Sequence, residues 1–129
     1  FVGEIPEDLR IETDAMRVQQ ILINLLTNAC KHTQKGSIVL RAWLDQDAGC
    51  ACFSVTDTGP GVPLDKAEAI FERFVKLDAY KQGAGLGLNI CKRIADSLGG
   101  RIWLDTSYTG GARFMLTIPS RINNFQTMD

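Results

Sequence analysis

Residues 14–33, DAMRVQQILINLLTNACKHT, carry the strongest pattern in the sequence and decide its fold class. The apolar side chains of this stretch recur at helical spacing, at Val18, Leu22, Leu25 and Ala29. Asp14 precedes them and is predicted to cap the helix, because its carboxylate can accept from the first free backbone N–H groups. Since further apolar residues surround this stripe, we expect the helix to be well buried.

Shorter elements are predicted on both sides of this helix. Strand-forming residues fill 37–44 and 51–57, and the polar residues between them predict a hairpin turn. A second long helix is predicted from about Gly85 to Leu98, where two glycines stop it. The other predicted elements are a short strand in 8–14, a short helix at about 65–73, and strands at 101–106 and 112–118 joined by a turn at Gly110-Gly111.

This order of elements favours a single domain of the α/β (α+β) class. Hairpin-linked strands predict a mixed, mostly antiparallel sheet of about five strands. Because the helices alternate irregularly with the strands, we expect a two-layer α/β sandwich with three helices on one face rather than a doubly wound fold. We assign residues 1–120 to the domain and residues 121–129 to a polar C-terminal tail.

The composition argues against nucleic acid and anionic membranes as partners. The 129 residues hold 14 Lys and Arg against 15 Asp and Glu, for a formal charge of −1, whereas those surfaces need a basic excess. No apolar run reaches the ~18 residues of a membrane helix, and no signal-peptide pattern begins the chain. The first residue is Phe1 rather than Met, so we expect a piece of a longer protein. As a separate expectation, this piece is monomeric, cytoplasmic and not itself inserted in a membrane.

The four cysteines are predicted to be small buried hydrophobic residues in a reducing compartment. They are Cys30, Cys50, Cys52 and Cys91. They form no C-x-x-C pair, so no zinc site is expected from their spacing. The only histidine is His32, so a Cys-His or Ser-His-Asp hydrolase would depend on that residue alone.

Three polar residues, Asn24, Asn28 and Lys31, interrupt the apolar helix. They share one stripe, displaced by roughly 120° from the stripe that contains Val18 and Leu22. One interpretation is an exposed polar edge. The other is a cleft lined by two amides and an ammonium group, where amide oxygens suit Mg²⁺ and the lysine suits phosphate.

Two glycine-rich segments follow. Residues 57–62, DTGPGV, place Asp57 at the end of an apolar strand, where a carboxylate can accept from an amine such as that of adenine; an ordinary turn is the alternative. Residues 83–88, GAGLGL, open the second helix, whose unpaired N–H groups can bind an anion. By itself this second segment is a weak signal, because it has neither a P-loop lysine nor a preceding strand.

Taken together, these segments resemble the boxes of sensor histidine kinases. Residues 14–33 resemble the N box, DTGPGV the first glycine box, IFERF (70–74) the phenylalanine box and GAGLGL the second glycine box. The sequence ADSLGGRIWLDTSYTGGARFMLTIP (95–119) resembles their closing helix and hairpin, so the resemblance covers about residues 9–119. It implies the catalytic, ATP-binding domain of a two-component kinase of the GHKL superfamily, with the fold of that superfamily.

The resemblance implies a role for each matching residue. Asn28 would be the principal Mg²⁺ ligand, supported by Asn24, and Lys31 would contact phosphate. Asp57 would accept the adenine amine, and His32 would lie near phosphate or ribose. The remaining implied nucleotide-binding residues are Gly59, Gly61 and Val62 at the base, Gly83, Gly85, Leu86, Gly87 and Leu88 at the phosphates, Lys76 and Lys81 in a lid over 75–84, and Phe71 with Phe74 at the base of the lid.

The sequence departs from the family pattern at two places. Only eight residues separate Phe74 from Gly83, so the lid is short and offers Lys76 and Lys81 as its basic side chains. Ala112 stands where the family usually carries Thr or Ser, so a hydroxyl contact to the nucleotide is expected to be missing.

Asn24 distinguishes between the reactions of the superfamily. Related ATPases such as gyrase place a glutamate here to activate water, whereas an amide cannot take a proton. The resemblance therefore implies transfer of the γ-phosphoryl group to a histidine on a separate dimerisation domain, with a response regulator as an indirect partner. A serine kinase or ATPase of the same fold, or a degenerate module that docks partners, remains the alternative.

Overall fold

The computed structural model describes residues 2–4, 14–33, 35–72 and 84–119. Its two α-helices in these ranges are α1 (Ala15–His32) and α2 (Ala84–Ser97). Its strands are β1 (Val2–Glu4), β2 (Ile38–Asp45), β3 (Cys50–Asp57), β4 (Arg101–Leu104) and β5 (Arg113–Pro119). They form one sheet in the order β1-β2-β3-β5-β4, in which β1 runs parallel to β2 and the other neighbours are antiparallel.

Strand alternation separates the two faces of this sheet. On β3, Ala51, Phe53 and Val55 belong to the hydrophobic core, which also receives alternate residues of β2, β4 and β5. The helices cover that face through Ile21 and Leu25 of α1 and through α2 residues such as Leu88, Cys91 and Ala95. The predicted mixed sheet of five strands and the two-layer sandwich are therefore confirmed, with the core between the layers.

One observed strand was not predicted, one predicted strand lies outside the described residues, and one predicted helix differs from the structure. Strand β1 was not predicted, because three residues are too few to show a period. The predicted strand in 8–14 falls almost wholly outside the described residues. The predicted third helix is instead two single-turn 3₁₀ helices, Leu64–Lys66 and Ala69–Phe71. This segment buries only Ile70 and Phe71 deeply, which one tight turn achieves.

The predicted ends of the helices are confirmed. The Asp14 carboxylate accepts from the backbone N–H of Arg17 at 3.2 Å and caps α1. At the end of α2, Gly99 adopts a φ of +74° and the N–H of Gly100 donates to the carbonyl of Ala95 at 2.8 Å. A glycine follows α2 because this left-handed backbone conformation is unfavourable for residues with a side chain.

The burial of α1 is narrower than the sequence suggested. Ile21 and Leu25 are buried, but Leu22 is half-buried and Ile23 is 53% exposed. A helix in a two-layer sandwich contacts the sheet and its neighbour along part of its circumference, so one apolar flank of α1 remains in solvent. No helix in the described part of the chain is long and apolar enough to span a bilayer.

The prediction that all four cysteines are buried was wrong. Cys52 and Cys91 are buried, Cys50 is half-buried, and Cys30 is exposed. Cys30 lies on the outer side of α1, between buried Ala29 and exposed Lys31, where helical periodicity turns it away from the sheet.

Candidate nucleotide site

Asp57, the last residue of β3, is a buried carboxylate held by backbone groups. Its Oδ1 atom accepts from the N–H of Gly59 at 2.8 Å and from the N–H of Ala112 at 3.1 Å. Its backbone is also fixed, because its N–H donates to the carbonyl of Ala112 at 2.8 Å and its carbonyl accepts from the Tyr108 hydroxyl at 3.2 Å. Among the described residues both hydrogen bonds to this side chain engage Oδ1, so Oδ2 is left to accept one from a ligand.

The two glycines after Asp57 allow close packing of backbone against backbone. A Cβ atom at Gly59 would lie 2.6 Å from the carbonyl oxygen of His32. Gly61 has a φ of +78°, and a Cβ there would lie 2.9 Å from the carbonyl oxygen of Gly111. The loop therefore lies directly against the end of α1 and the turn before β5, and these glycines are required by the protein itself.

The asparagines of α1 face inward rather than forming an exposed polar edge. Asn28 is 5% exposed, and its Nδ2 atom is buried without a hydrogen-bond partner among the described residues. Asn24 is half-buried and hydrogen-bonds with the Cys91 thiol of α2, so it lies on the side of α1 that faces α2. A buried amide donor with no partner costs free energy unless a ligand accepts from it. Lys31, at the end of the stripe, is exposed.

His32 lies at the end of α1, close to Asp57. Burial lowers the pKa of the imidazole below 6.5. The nearby Asp57 carboxylate raises that pKa, and the Lys31 ammonium lowers it further, but burial is the largest effect. The imidazole is therefore neutral at pH 7 and presents one donor and one acceptor.

Thr33 is a candidate site residue that the sequence analysis missed. It follows α1, its N–H donates to the carbonyl of Ala29 at 2.9 Å, and its Oγ1 atom is buried with no partner in the described part of the chain. A Cβ at Gly59 would lie 3.2 Å from that Oγ1, so the hydroxyl adjoins the loop that carries Asp57. The only signal in the sequence was its position directly after His32 in the stretch 14–33.

The first turn of α2 contains three of the residues predicted at the phosphates, Gly85, Leu86 and Gly87. Free N–H groups and the positive end of the helix dipole make such a turn suitable for an anion. The side chain of Leu88 is fully buried in the core, so only its backbone can serve a ligand. Lys76, Lys81, Gly83 and Phe74 lie outside the described residues.

Comparison with known proteins identifies the family to which this geometry belongs. The family described as "Histidine kinase-, DNA gyrase B-, and HSP90-like ATPase" matches residues 13–122. The chain belongs to this ATPase family.

Individual relatives place the chain among the histidine kinases. The adaptive-response sensory kinase SasA of Trichormus variabilis is 44% identical over 119 residues, which are 90% of this chain and 30% of SasA. The catalytic domain of the histidine kinase ThkA matches with a TM-score of 0.79 and 36% identity over 93% of this chain and 78% of that one. Full-length ShkA, solved in complex with AMPPNP, matches with a TM-score of 0.80 and 39% identity over 92% of this chain and 25% of ShkA.

The chain is thus a histidine-kinase catalytic domain of the GHKL superfamily, and it binds nucleotide. The resemblance that the sequence motifs indicated is confirmed. The chain spans about a third of the length of the curated relatives that it matches.

In this histidine-kinase domain, Phe71 and Ala112 have structural roles. The Phe71 ring packs edge-on against Phe114 at a centroid distance of 6.0 Å, and its carbonyl accepts from Asn89 Nδ2 at 3.3 Å. The methyl group of Ala112 is buried in the core, while its backbone holds both the N–H and the carboxylate of Asp57. Val62 is half-buried and packs against the same core.

Proposed function

We propose that this domain binds Mg-ATP and transfers its γ-phosphoryl group to a histidine on a separate phosphoacceptor domain. The observation that carries the proposal is the Asp57 carboxylate, buried and held through one oxygen by two backbone N–H groups. Such a carboxylate needs no rearrangement to accept from the exocyclic amine of adenine. Gly59, Gly61 and Val62 line the pocket of the base, and His32 lies near the ribose or the phosphates.

The asparagines of α1 fit a magnesium ion. Amide oxygens are suitable Mg²⁺ ligands, and the Nδ2 atom of buried Asn28 has no hydrogen-bond partner among the described residues. Asn28 would hold the metal, with Asn24 in support. When bound, Mg²⁺ neutralises charge on the phosphates during phosphoryl transfer.

Backbone and lysine groups bind the phosphates in this proposal. Gly85, Leu86, Gly87 and Leu88 offer the N–H groups of the first turn of α2. Lys31, Gly83, Lys76 and Lys81 complete the phosphate contacts, the last two from the lid. Phe71, anchored in the core against Phe114, supports the base of that lid.

The phosphoacceptor is a histidine other than His32. His32 follows the asparagine stripe within the same site and is half-buried beside Asp57. Asn24 has no basic group to activate water, so the site favours transfer to an imidazole, which is nucleophilic at neutral pH, over hydrolysis. Dimerisation helices of the parent kinase would supply the acceptor, and a response regulator would then receive the phosphoryl group.

The chain is proposed to be a monomer that works in the cytosol, where ATP and reduced cysteines coexist; the described cysteines are all free thiols. Residues 1–120 are proposed to form the domain and residues 121–129 a tail.

Nucleotide titration of matched variants tests the proposal. We expect Asp57→Ala to abolish binding of a fluorescent ATP analogue both with Mg²⁺ and with EDTA, because the adenine contact is lost. We expect Asn28→Ala to remove mainly the part of the affinity that depends on Mg²⁺. The controls are Asp96→Ala on the exposed side of α2 and Gln19→Ala on the exposed side of α1. Binding of Mg-ATP by Asp57→Ala and Asn28→Ala with the parent affinity would contradict both assignments.

A further inference from the structure

The face of the sheet opposite the helices carries a cluster of possible metal ligands, formed by Asp45, Cys50 and Cys52. Within residues 2–4, 14–33, 35–72 and 84–119, this is the one group of three such side chains whose ligand atoms lie within 4.8 Å of one another. Ala51 and Phe53 point into the core, so strand alternation places Cys50 and Cys52 on the opposite face. In the β2–β3 register Asp45 is paired directly with Cys50.

The cluster is distinct from the nucleotide site. Cys50 begins β3 and Asp57 ends it, so seven residues of extended chain, or about 23 Å, separate the two. The nucleotide site also lies by the helices, whereas the cysteines lie on the opposite face of the sheet. A ligand at one site therefore does not touch the other.

The geometry of the donors matches a tetrahedral thiolate metal. The Sγ atoms of Cys50 and Cys52 lie 4.0 Å apart, and two thiolates on one zinc ion with Zn–S bonds of ~2.3 Å lie ~3.8 Å apart. The Asp45 Oδ1 atom accepts from the N–H of Ala48 at 3.1 Å, which orients the carboxylate across the hairpin turn. These donors are on paired strands, so little chain entropy is lost when a metal gathers them.

The same geometry disfavours a disulfide. Cα atoms two residues apart on an extended strand are separated by about 6.6–6.8 Å, the upper end of the range of about 4.4–6.8 Å that a disulfide accepts. Closing the bond would distort a ladder in which Cys50 and Cys52 are paired on both sides, with β2 and β5.

We infer that Asp45, Cys50 and Cys52 bind a thiophilic divalent cation, Zn²⁺ in particular, with a fourth position open to water or another ligand. Binding forms two metal–thiolate bonds and one metal–carboxylate bond, and it releases the two thiol protons to solvent. No electron is transferred. The metal would join the ends of β2 and β3 across their hairpin, and half-buried Cys50 offers the route of entry.

Sequence spacing did not indicate this site, because the search was for C-x-x-C. On a strand, the spacing that places two cysteines on one face is C-x-C, and the hairpin register supplies the aspartate. The three ligands occupy only eight residues of the chain, 45–52.

Cadmium binding to the reduced full chain tests the inference. We expect one equivalent of Cd²⁺ to produce the ultraviolet thiolate-to-cadmium absorption, and a large excess of Zn²⁺ to diminish that absorption by competing for the same ligands. Zn²⁺ should also raise the melting temperature of the parent, since it binds only the folded chain. Cys50→Ser and Cys52→Ala should each weaken Cd²⁺ binding. The loss of affinity should exceed the ~10–100-fold that follows removal of a residue which only supports a metal ligand.

Three further variants keep the outcome decisive. Asp45→Asn preserves shape and should weaken binding while the chain stays folded, which protects the test if a cysteine variant unfolds. Cys30→Ser removes an exposed cysteine elsewhere on the surface and should bind as the parent does, as should Asn28→Ala, which alters the nucleotide site. Three results would overturn the inference. The chain could fail to bind one equivalent of Cd²⁺, it could lose Cd²⁺ binding in Cys30→Ser, or it could form a Cys50–Cys52 disulfide in place of binding metal.

Discussion

A single carboxylate, Asp57, shows how the fold prepares a side chain for recognition. Its Oδ1 is committed to the N–H groups of Gly59 and Ala112, one from its own loop and one from the start of β5. Burying a carboxylate is costly unless such partners are present. Because they come from backbone, the hydroxyl that the family usually has at Ala112 is not needed to hold Asp57. Under the proposed function, the substitution at this position removes a side-chain contact to the nucleotide and leaves the support of the carboxylate in place.

Thr33 offers the sharpest test at the scale of one residue. Its buried hydroxyl has no partner in the described part of the protein, and an unsatisfied buried polar group costs ~1–3 kcal/mol. We expect Thr33→Val to leave the free energy of unfolding unchanged or to increase it. In contrast, the variant should weaken nucleotide binding by roughly 2–10-fold, the value of one ordinary hydrogen bond to the ligand.

The control for this experiment is Thr33→Ser, which retains the hydroxyl and should bind nucleotide as the parent does. Chemical denaturation gives the stability and a titration with ATP gives the affinity. If Thr33→Val and the parent bind ATP equally, the hydroxyl does not contact the ligand.

At the scale of elements, the loop after β3 and the turn before β5 depend on each other. Gly61 lies against the carbonyl of Gly111, and Gly111 in turn lies so close to the carbonyl of Asp57 that no side chain fits there. Thus the glycines of two separate segments allow the ends of β3 and β5 to hold Asp57 between them. The register of the sheet brings these two segments together, because Thr56 of β3, next to Asp57, pairs with Arg113 of β5.

Gly61 and Gly49 form a matched pair for testing this packing. Both have positive φ, +78° and +67°, but a Cβ at Gly49 meets nothing within 4 Å. We expect Gly49→Ala to cost about 1–2 kcal/mol, the penalty of a left-handed conformation. Gly61→Ala should cost ~1–3 kcal/mol more, because the backbone must also move away from Gly111.

Urea unfolding of the two variants measures the difference, and nucleotide affinity is the second readout. The loss of affinity should accompany Gly61→Ala alone, since the Gly49 turn lies at the opposite end of β3. Equal destabilisation by both substitutions would show that the contact with Gly111 contributes nothing.

At the scale of the whole molecule, stability should depend on pH in two separate ranges. Burial lowers the pKa of His32 below 6.5, so the unfolded chain binds more protons than the folded chain just below that pH. The free energy of unfolding should therefore be fully retained above pH 6.5 and decrease as pH falls toward the folded pKa. Hydrogen bonding from Ser107 lowers the pKa of Asp105 below 3.8, so its contribution is lost only in stronger acid.

Unfolding of His32→Gln across the same pH series checks this assignment. The substitution should flatten the decrease just below pH 6.5 and leave the steeper loss in stronger acid in place, because Asp105 is unaltered. A parent-like decrease in this variant would assign it to another group.

The reaction itself is also a property of the whole chain. We expect the isolated chain, incubated with γ-labelled ATP and Mg²⁺, to acquire no stable acid-labile phosphate and to hydrolyse ATP slowly. The physical reasons are that Asn24 has no basic group and that the proposed acceptor belongs to another domain. A filter-binding assay measures the phosphate retained on the chain, and liquid chromatography measures the ATP hydrolysed. Rapid turnover would favour an ATPase, and a labelled His32 would refute the separate acceptor.

Local pattern in the sequence was sufficient for the family and the order of the main elements, and it pointed to Asp57 and Asn28 as candidate site residues. The period of α1 and α2, the strand-forming residues of β2, β3 and β5, and the spacing of the glycine-rich segments are properties of neighbouring residues. For the same reason the Asp14 cap and the glycine stop after α2 could be predicted. The short strand β1 and the 3₁₀ turns could not, because a few residues carry no period.

Only the tertiary structure decided which polar groups meet and which apolar ones remain in solvent. Asn28 is buried while Ile23 and Cys30 are exposed, because the packing of α1 on the sheet and α2, not its composition, sets the buried side. Thr33 reaches the Asp57 loop because the end of α1 packs against that loop, and Asp45 reaches Cys50 and Cys52 through the register of β2 and β3. Contacts between segments distant along the chain depend on how whole elements pack, and that is determined only when the chain folds.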